Sequence, residues 1–478
     1  MNKVFFENKS VLVMGLGRFG GGADVVRFLC RAGAKVTVTD LSAPEQLADS
    51  MSRLEGLAGV EYRLGSHNRD DFERTDVLVV NPAVKPDNKY VQIARSASAL
   101  VTSQIEIFFE LCPARIIGIT GANGKSTTAA LTAHLLRAGI GRKGTTYRKV
   151  WLSGNIGNEP LLAILDEIKG GDLVVLELSS FQIEQLTQTK KTPDVALLTN
   201  LTPNHLDRYG TFEVYCRSKE PLFQYQKLDG RNPAVSIFNA EDEIGCEWFD
   251  RYSRERGRIC MKFSADELSG GIRSKFGLPG KANLSNLAAA VCIAGYFGVD
   301  EGHIVASVPS FKALPHRLEL VAEAEGVKWY NDSKATTPLS AIAALEAFEQ
   351  PVIIIAGGYD KGISFDELGK RIAQRARAAV LIGQTAEKIA GAIEKKLATE
   401  DTLVSAKARA VAGENTERVI KVEVVGSLND AVDSAGKLAV RGDVVLLSPA
   451  CASYDMFDNF EQRGQEFAEL VRAKQRPL

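Results

Sequence analysis

The chain of 478 residues is long enough for about three domains. Its 58 basic and 59 acidic side chains nearly cancel, which argues against a general nucleic-acid or membrane binder. The seven cysteines contain no C-x-x-C pair, so we expect reduced thiols rather than a zinc site or a disulfide framework. We find no signal peptide and no segment apolar enough to span a bilayer, and therefore expect a cytoplasmic protein.

The first strand–helix block has the pattern of a nucleotide-binding fold. Residues 11–14 form a predicted strand, residues 15–20 a glycine-rich turn with Gly15, Gly17 and Gly20, and a helix continues to about Arg31. The next predicted strand, residues 35–39, ends in Asp40, an acid placed to hold a ribose hydroxyl. The pattern predicts a site for a nicotinamide or flavin cofactor, or for another nucleotide.

The second block contains a phosphate-binding loop. A predicted strand at 116–120 leads into Gly121-Ala122-Asn123-Gly124-Lys125-Ser126-Thr127, and a predicted helix follows to residue 136. Backbone N–H groups and the helix dipole attract phosphate at such a turn, Lys125 can reach the outer phosphates, and the Ser126 hydroxyl can bind magnesium. Ile119 holds the first glycine position of the usual pattern, and Gly118 lies one residue too early. We predict that the chain uses ATP.

Three side chains downstream are candidates for metal chemistry. Glu177 follows an apolar strand at 173–176, where a carboxylate can share the magnesium ion of the loop serine; a helix-capping or surface acid is the alternative. His205 lies in a loop after the next strand and is a candidate for a second magnesium ion, or else a structural histidine. Lys219, on a predicted helix, would be neutral or carbamylated if it lies beside two magnesium ions, whereas composition alone favours a surface lysine.

The third block begins near residue 314. Two strand-like runs, 318–324 and 327–330, are joined by Glu325-Gly326, and strand and helix signals then alternate to a final helix at about 457–472. Lys361 and Ser453 lie in loops that follow two apolar strands, so they are candidates for binding a small carboxylic acid, with simple turns as the alternative. The expected architecture is three α/β domains with mainly parallel sheets.

These motifs together resemble the Mur ligase family, which builds the peptide stem of bacterial peptidoglycan. The resemblance covers nearly the whole chain and rests on residues 118–127, 177–182, 204–209, 314–319 and 331–336. It implies a Rossmann-like domain for a UDP-linked substrate at 1–113, a central P-loop ATPase-like domain at 114–314, and a Rossmann-like amino-acid-binding domain at 315–478. Residues 448–453 and 459–464 are most similar to the D-glutamate-adding members.

The resemblance implies an ATP-dependent acid–D-amino-acid ligase of peptidoglycan precursor synthesis. ATP would phosphorylate the carboxylate of UDP-N-acetylmuramoyl-L-alanine, and the amine of D-glutamate would attack the acyl phosphate, leaving ADP and phosphate. We expect two magnesium ions, a carbamate on Lys219, and a monomer that binds neither nucleic acid nor membrane. The alternatives are another Mur ligase, a folate polyglutamylating ligase, a nicotinamide-dependent oxidoreductase, and a non-enzymatic nucleotide-controlled switch.

The resemblance also implies individual roles for residues. Lys125, Glu177, His205 and Lys219 form the implied catalytic set, and Ser126, Glu177, His205 and Lys219 the implied metal ligands. The implied ATP contacts are Gly121, Ala122, Asn123, Gly124, Lys125, Ser126, Thr127, Asn286, Arg317 and Asp332. The implied UDP-substrate contacts are Gly15, Gly17, Arg18, Asp40, Asn155 and Ser179. The implied D-glutamate contacts are Thr336, Lys361, Ser453 and Phe460.

Overall fold

A computed structural model describes residues 3–18, 20–156, 160–229, 232–408 and 420–474. These residues form three sheets, each covered by helices, which confirms the predicted class of mainly parallel α/β domains. One compact unit, Met1–Lys275 with Ser285–Val308, contains the first two sheets, and a second, Phe276–Leu284 with Pro309–Leu478, contains the third. Within the described ranges, every helix is too short or too polar to cross a bilayer.

Among the described residues, the first sheet is built on five strands. They are β1 (Ser10–Met14), β2 (Lys35–Asp40), β3 (Val60–Leu64), β4 (Val77–Val80) and β5 (Leu100–Thr102). All pair in parallel, in the order β3-β2-β1-β4-β5. The accompanying helices are α1 (Gly21–Arg31), α2 (Ala48–Ser52), α3 (Arg69–Arg74), α4 (Lys89–Ser96) and α5 (Gln104–Leu111). The strand order changes direction between β1 and β4, so a ligand crevice is expected at their carboxyl ends.

The second sheet has six parallel strands among the described residues, in the order β11-β10-β9-β6-β8-β7. They are β6 (Arg115–Thr120), β7 (Val150–Gly154), β8 (Leu173–Glu177), β9 (Val195–Leu198), β10 (Ala234–Asn239) and β11 (Arg258–Phe263). The helices are α6 (Lys125–Ala138), α7 (Ser180–Thr189), α8 (Leu206–Tyr209), α9 (Phe212–Arg217), α10 (Pro221–Gln224), α11 (Glu243–Tyr252), α12 (Gly270–Arg273), α13 (Lys281–Tyr296) and α14 (Glu301–Ser307). Strands β8, β9 and β10 are buried along their whole length, as continuous apolar runs in a parallel sheet predict.

The third sheet contains one antiparallel pair and is otherwise parallel. Its strands are β12 (Glu319–Ala324), β13 (Val327–Asn331), β14 (Val352–Gly357), β15 (Ala376–Ile382), β16 (Lys421–Val424) and β17 (Val444–Leu447), in the order β12-β13-β17-β14-β15-β16. The helices are α15 (Pro338–Leu345), α16 (Asp366–Arg375), α17 (Ala386–Ala408), α18 (Leu428–Leu438) and α19 (Phe460–Lys474). The β12–β13 hairpin turns at Glu325 and Gly326, with φ of 53° and 78°, the two positive values that a two-residue turn requires.

Candidate active site

The phosphate-binding loop joins the end of β6 to the start of α6. Gly121 and Gly124 have φ values of 144° and 81°, which residues with a Cβ rarely adopt. An added Cβ at Gly121 would also lie 2.0 Å from Thr199 Oγ1. Gly118 is needed for packing instead, because a Cβ there would lie 2.8 Å from Pro193 Cγ. The early glycine therefore serves the packing of β6, and the loop needs glycine only at the other two positions.

Residues that follow β9 brace this loop. The Ala122 N–H donates to the Asn200 carbonyl at 2.8 Å, and the Asn123 N–H donates to Asn200 Oδ1 at 3.0 Å. The Thr199 hydroxyl donates to the Asn123 carbonyl at 2.7 Å. Lys125 Nζ donates to the Ala122 carbonyl at 2.8 Å, so its side chain folds back along the loop. The bracing holds the loop in the shape that presents the first turn of α6 to an anion.

Lys219 lies beside this loop, inside the protein. It follows α9 instead of lying on a helix, and it is only 1% exposed. Its Nζ donates to Thr120 Oγ1, with 3.4 Å between the atoms. Burial and the positive charge of Lys125 lower the pKa of Lys219 well below its usual value, although Glu177 opposes them. The surface-lysine interpretation is therefore wrong, and the site favours the neutral amine.

Glu177 is the last residue of β8 and is 2% exposed. Its Oε1 accepts a hydrogen bond from Asn155 Nδ2 at 3.1 Å, whereas the buried Oε2 has no hydrogen-bond partner among the described residues. A buried carboxylate oxygen without a partner is costly, and a cation ligated there would satisfy it. The helix-capping alternative is wrong, since Ser179 caps α7 through a reciprocal capping box with Gln182.

His205 precedes α8 in a left-handed conformation, with φ of 51°. The centroid of its ring lies 5.3 Å from that of Phe181 and 6.3 Å from that of Tyr215, and Lys219 Nζ lies 5.0 Å from the Tyr215 ring centroid. In the part of the chain that the structure describes, no three His, Cys, Asp or Glu side chains form a metal-binding group. The predicted set contains only two such residues, His205 and Glu177, together with a serine and a lysine. Such a set fits a metal ion that is coordinated partly by these side chains and partly by phosphate oxygens better than an ion held by protein ligands alone.

The structure also brings Asn286, a predicted ATP contact, to the loop. Its Oδ1 accepts a hydrogen bond from the Thr128 hydroxyl at 3.2 Å. A Cβ added to Gly124 would lie 2.2 Å from the same oxygen. The predicted loop residues Ser126 and Thr127, in the first turn of α6, are 5% and 9% exposed. The phosphate loop, Asn286 and Glu177 thus belong to one compact unit, in which the first two contact each other directly.

In the first domain, the predicted UDP-substrate residues Gly15, Gly17 and Asp40 lie together. Asp40 Oδ2 accepts from the Gly17 N–H at 3.1 Å, and its Oδ1 accepts from the Ser42 N–H at 2.8 Å. The Gly15 N–H donates to the backbone of β2, the strand that Asp40 ends. The carboxylate therefore holds the glycine-rich turn itself, a role that the nucleotide pattern does not include. Arg18, predicted for the same site, is exposed on this turn.

At the carboxyl edge of the third sheet, the predicted ATP contact Asp332 is buried. Its Oδ2 accepts from the Ser448 hydroxyl at 2.9 Å, and its Oδ1 accepts from the Leu318 N–H at 3.2 Å. Burial raises the pKa of Asp332 to about 7, against the lowering effect of these bonds and of Arg317. The structure thus brings Arg317 and Asp332, two predicted ATP contacts, into electrostatic contact.

The loops that carry the predicted D-glutamate residues meet at the same edge. A bridge between Tyr359 and Ala452, with 2.9 Å from the Tyr359 N–H to the Ala452 carbonyl, joins the loops of Lys361 and Ser453. Ser453 is buried and Lys361 is exposed. The structure thus joins these two loops, and the binding of a small carboxylic acid there stays a prediction.

Phe460 and Thr336, the other two predicted D-glutamate residues, belong to the same region. Phe460 begins α19, and its carbonyl accepts from the Ser333 hydroxyl at 2.8 Å. Thr336 follows Ser333 by three residues. Sequence reasoning gave no role to Thr120, whose only signal is its place directly before the phosphate loop. It also gave none to Arg463, which is 1% exposed and contacts both sides of this region.

Comparison with known proteins extends over almost the entire chain. Three family models match: the Mur ligase MurD-like N-terminal domain at residues 9–103, the Mur ligase middle domain at 119–294, and the Mur ligase glutamate ligase domain at 316–451. A UDP-N-acetylmuramoylalanine–D-glutamate ligase of Roseiflexus sp. is 38% identical and covers 97% of this chain and 98% of its own. A protein of the same name from Acetivibrio thermocellus is 38% identical over 98% of this chain and 97% of its own.

Solved structures with low sequence identity share the fold. The MurF ligase of Thermotoga maritima in complex with ADP is 16% identical with a TM-score of 0.53, over 99% of this chain and 97% of its own. A UDP-N-acetylmuramoylalanyl-D-glutamyl-2,6-diaminopimelate–D-alanyl-D-alanyl ligase of Acinetobacter baumannii is 14% identical with a TM-score of 0.54, over 99% and 92%. On the strength of the family models and of relatives 38% identical along nearly its whole length, this chain belongs to the Mur ligase family.

Proposed function

We propose that this protein is an ATP-dependent ligase that joins D-glutamate to UDP-N-acetylmuramoyl-L-alanine, with ADP and phosphate as the other products. The observation that carries the ATP chemistry is a buried oxygen of Glu177 that has no hydrogen-bond partner among the described residues, in the same compact unit as the phosphate-binding loop. The names of full-length relatives that are 38% identical support D-glutamate as the amino acid. The same relatives speak against a folate ligase, an oxidoreductase or a switch.

The reaction needs activation because a carboxylate is a poor acyl donor until one oxygen becomes a good leaving group. Phosphoryl transfer from ATP to the alanyl carboxylate supplies that leaving group. The amine of D-glutamate then forms the C–N bond, the C–O bond to phosphate breaks, and the amine loses a proton. Lys125 would neutralise charge on the transferred phosphoryl group, so the protein contributes mainly positioning and electrostatic stabilisation.

We propose that Ser126 and Glu177 hold one magnesium ion and that His205 and a carbamylated Lys219 hold a second. Magnesium would supply charge neutralisation at the phosphate oxygens. The environment of Lys219 supports the carbamate, because burial lowers its pKa and so favours the neutral amine, the form that reacts with carbon dioxide. The reaction releases one proton and turns the neutral amine into an anion, which the positive charge of Lys125 attracts.

The remaining predicted residues are assigned to substrates by the same proposal. Gly15, Gly17, Arg18 and Asp40 would bind the uridine part, within a first domain at 1–113. Asn155 and Ser179, on either side of Glu177, would contact the same substrate in the central domain at 114–314. Asn286, Arg317 and Asp332 would contact ATP, and Thr336, Lys361, Ser453 and Phe460 would bind D-glutamate in the domain at 315–478. We propose a monomer that acts in the cytoplasm, where ATP and UDP-linked precursors are available.

A phosphate-release assay tests the function. Purified protein receives ATP, magnesium and UDP-N-acetylmuramoyl-L-alanine, with one amino acid at a time. We expect phosphate release with D-glutamate and none with L-glutamate, D-aspartate or D-alanine. Release that requires L-glutamate and a folate would identify the folate ligase instead, and release with a different amino acid would identify another Mur ligase.

A further inference from the structure

Arg463, on α19, is a fully buried cation outside the proposed catalytic set. It is 1% exposed, and burial lowers its pKa to about 10. Its Nε donates to Ser333 Oγ at 3.0 Å, and its Nη2 donates to the carbonyls of Ser333 at 2.9 Å and Cys451 at 3.1 Å. A longer bond of 3.4 Å joins Nη1 to the Ala452 carbonyl. None of the ion pairs formed by the described residues includes this guanidinium.

Desolvation of this cation is costly, although the negative charge of Asp455 opposes the lowering of its pKa, and the hydrogen bonds of the guanidinium fix the groups that they join. Its partners lie on two loops, one after β13 and one after β17. The planar guanidinium carries five N–H donors in a rigid fork, and it therefore sets the distance between these loops as well as joining them. A lysine ammonium carries three donors on a flexible stem and cannot do the same.

Each partner of Arg463 adjoins a residue assigned to D-glutamate. The Ser333 hydroxyl, which accepts from Nε, itself donates to the Phe460 carbonyl at 2.8 Å. The Ala452 carbonyl, which accepts from Nη1, also accepts from the Tyr359 N–H at 2.9 Å, in the loop of Lys361. Ser453 follows Ala452 directly, and Thr336 lies three residues beyond Ser333. One guanidinium is thus connected, directly or through one further hydrogen bond, to the four segments that carry the residues assigned to D-glutamate.

We propose that Arg463 is a positioning residue for the amino-acid site, and this inference rests on the proposed function. D-glutamate presents two carboxylates at a limited range of separations, and the groups that would receive them stand on separate loops. Those groups can bind both carboxylates only if the loop spacing is held to about 0.5 Å. Arg463 holds that spacing through its hydrogen bonds to the loops, and its buried positive charge favours dianionic ligands bound at them.

Two arginine-to-lysine variants test the proposal. Arg463→Lys keeps the charge and loses the fork. Its matched control is Arg258→Lys, because the Arg258 side chain is also fully buried but bonds to Gln226, Ser236 and Glu255, on and beside the edge strand β11. We expect Arg463→Lys to raise the KM for D-glutamate about tenfold or more, with the KM for ATP and for the UDP-linked substrate within about twofold. Arg258→Lys should lower the unfolding midpoint and leave all three KM values near those of the wild type.

A second readout separates positioning from general damage. ADP formation in a single turnover with ATP and the UDP-linked substrate, but without amino acid, should be unchanged in Arg463→Lys. If that variant does not fold, Ser333→Ala removes the shared hydroxyl and should raise the KM for D-glutamate in the same direction. Unchanged KM values, equal increases for all substrates, or a slowed first half-reaction would overturn the positioning role. A wild-type protein without D-glutamate-dependent phosphate release would instead overturn the proposed function.

Discussion

Replacement of Asp332 by asparagine should raise the free energy of unfolding of the third domain at pH 7 and above. This residue is 8% exposed, and its burial raises its pKa from 3.8 to about 7. As the pH rises, the unfolded chain therefore releases this proton before the folded chain does. The wild type loses stability between these two pKa values, and above the higher one the whole penalty is present.

The size of the effect follows from the shift. A rise of about three pKa units corresponds to about 4 kcal/mol at 1.36 kcal/mol per unit. Asparagine cannot ionise, so this penalty disappears, and its oxygen can still accept from the Leu318 N–H. The bond from the Ser448 hydroxyl has to rearrange, which costs about 1 kcal/mol, so we expect a net gain of about 3 kcal/mol at pH 8. The gain should be smaller at pH 5, where the wild-type carboxyl is protonated when folded.

Fluorescence can report on this domain alone. The chain has three tryptophans, and only Trp329 lies in the third sheet, so Trp151→Phe and Trp248→Phe provide a suitable background. Urea unfolding at pH 5 and pH 8 then gives the two stabilities. Asp443→Asn is the control, because Asp443 is also buried but is ion-paired with Arg377 at 2.6 Å and should lose stability at pH 8. A loss of stability in Asp332→Asn at pH 8, or an equal change at both pH values, would refute the reasoning.

Further changes test the central domain and its packing. Lys125→Ala and Glu177→Ala should each lower turnover by several orders of magnitude, because both residues act on charge at the transferred phosphoryl group. The circular dichroism spectrum should be unchanged. Near-normal rates would count against the site. A crystal structure with magnesium should show density beyond Nζ of Lys219, and a bare ammonium beside bound magnesium would defeat the carbamate. Asp24 is 4% exposed and accepts a hydrogen bond from the Leu162 N–H at 2.7 Å. Asp24→Ala should therefore lower the free energy of unfolding, measured by urea titration, by about 1–3 kcal/mol. Unchanged stability would contradict this.

Local sequence signals predict most of the fold, because turn conformations and buried strands depend mainly on residues that are close together in the chain. Gly121 and Gly124 have positive φ values, and the side chains of Thr199 and Asn286 leave no room for a Cβ there. The backbone conformation belongs to a single turn, so a local glycine pattern can predict it. Apolar runs such as residues 173–176 predict buried parallel strands, and Glu325-Gly326 predicts the hairpin turn. The final helix begins at Phe460, about three residues later than predicted. The Gln462 N–H donates to Asn459 Oδ1 at 2.8 Å, and the Asp458 N–H donates to Gln462 Oε1 at 2.7 Å, so side chains cap the helix at this point.

The burial of charged side chains is the part that sequence patterns do not predict. Lys219 follows a short helix among polar residues, and only the folded chain shows that its Nζ donates a hydrogen bond to Thr120 inside the protein. Arg463 sits among Glu461, Gln462 and Gly464 and resembles a surface position by composition. Thr120 lies 99 residues from Lys219, and Ser333 lies 130 residues from Arg463, so no local window contains these contacts.

Buried carboxyl groups whose desolvation is incompletely compensated recur at the carboxyl ends of strands in this protein. Glu177 Oε2 has no donor among the described residues, and burial raises the pKa of Asp332 to about 7 against the opposing effect of Arg317. Either arrangement costs stability in the protein alone, because the desolvation of the carboxyl group is only partly compensated. A cation or a polar substrate that completes such a group recovers part of that cost on binding. An incomplete buried charge at a strand end is therefore a physical reason to locate a ligand there, and in this chain it points to the same residues as the family motifs.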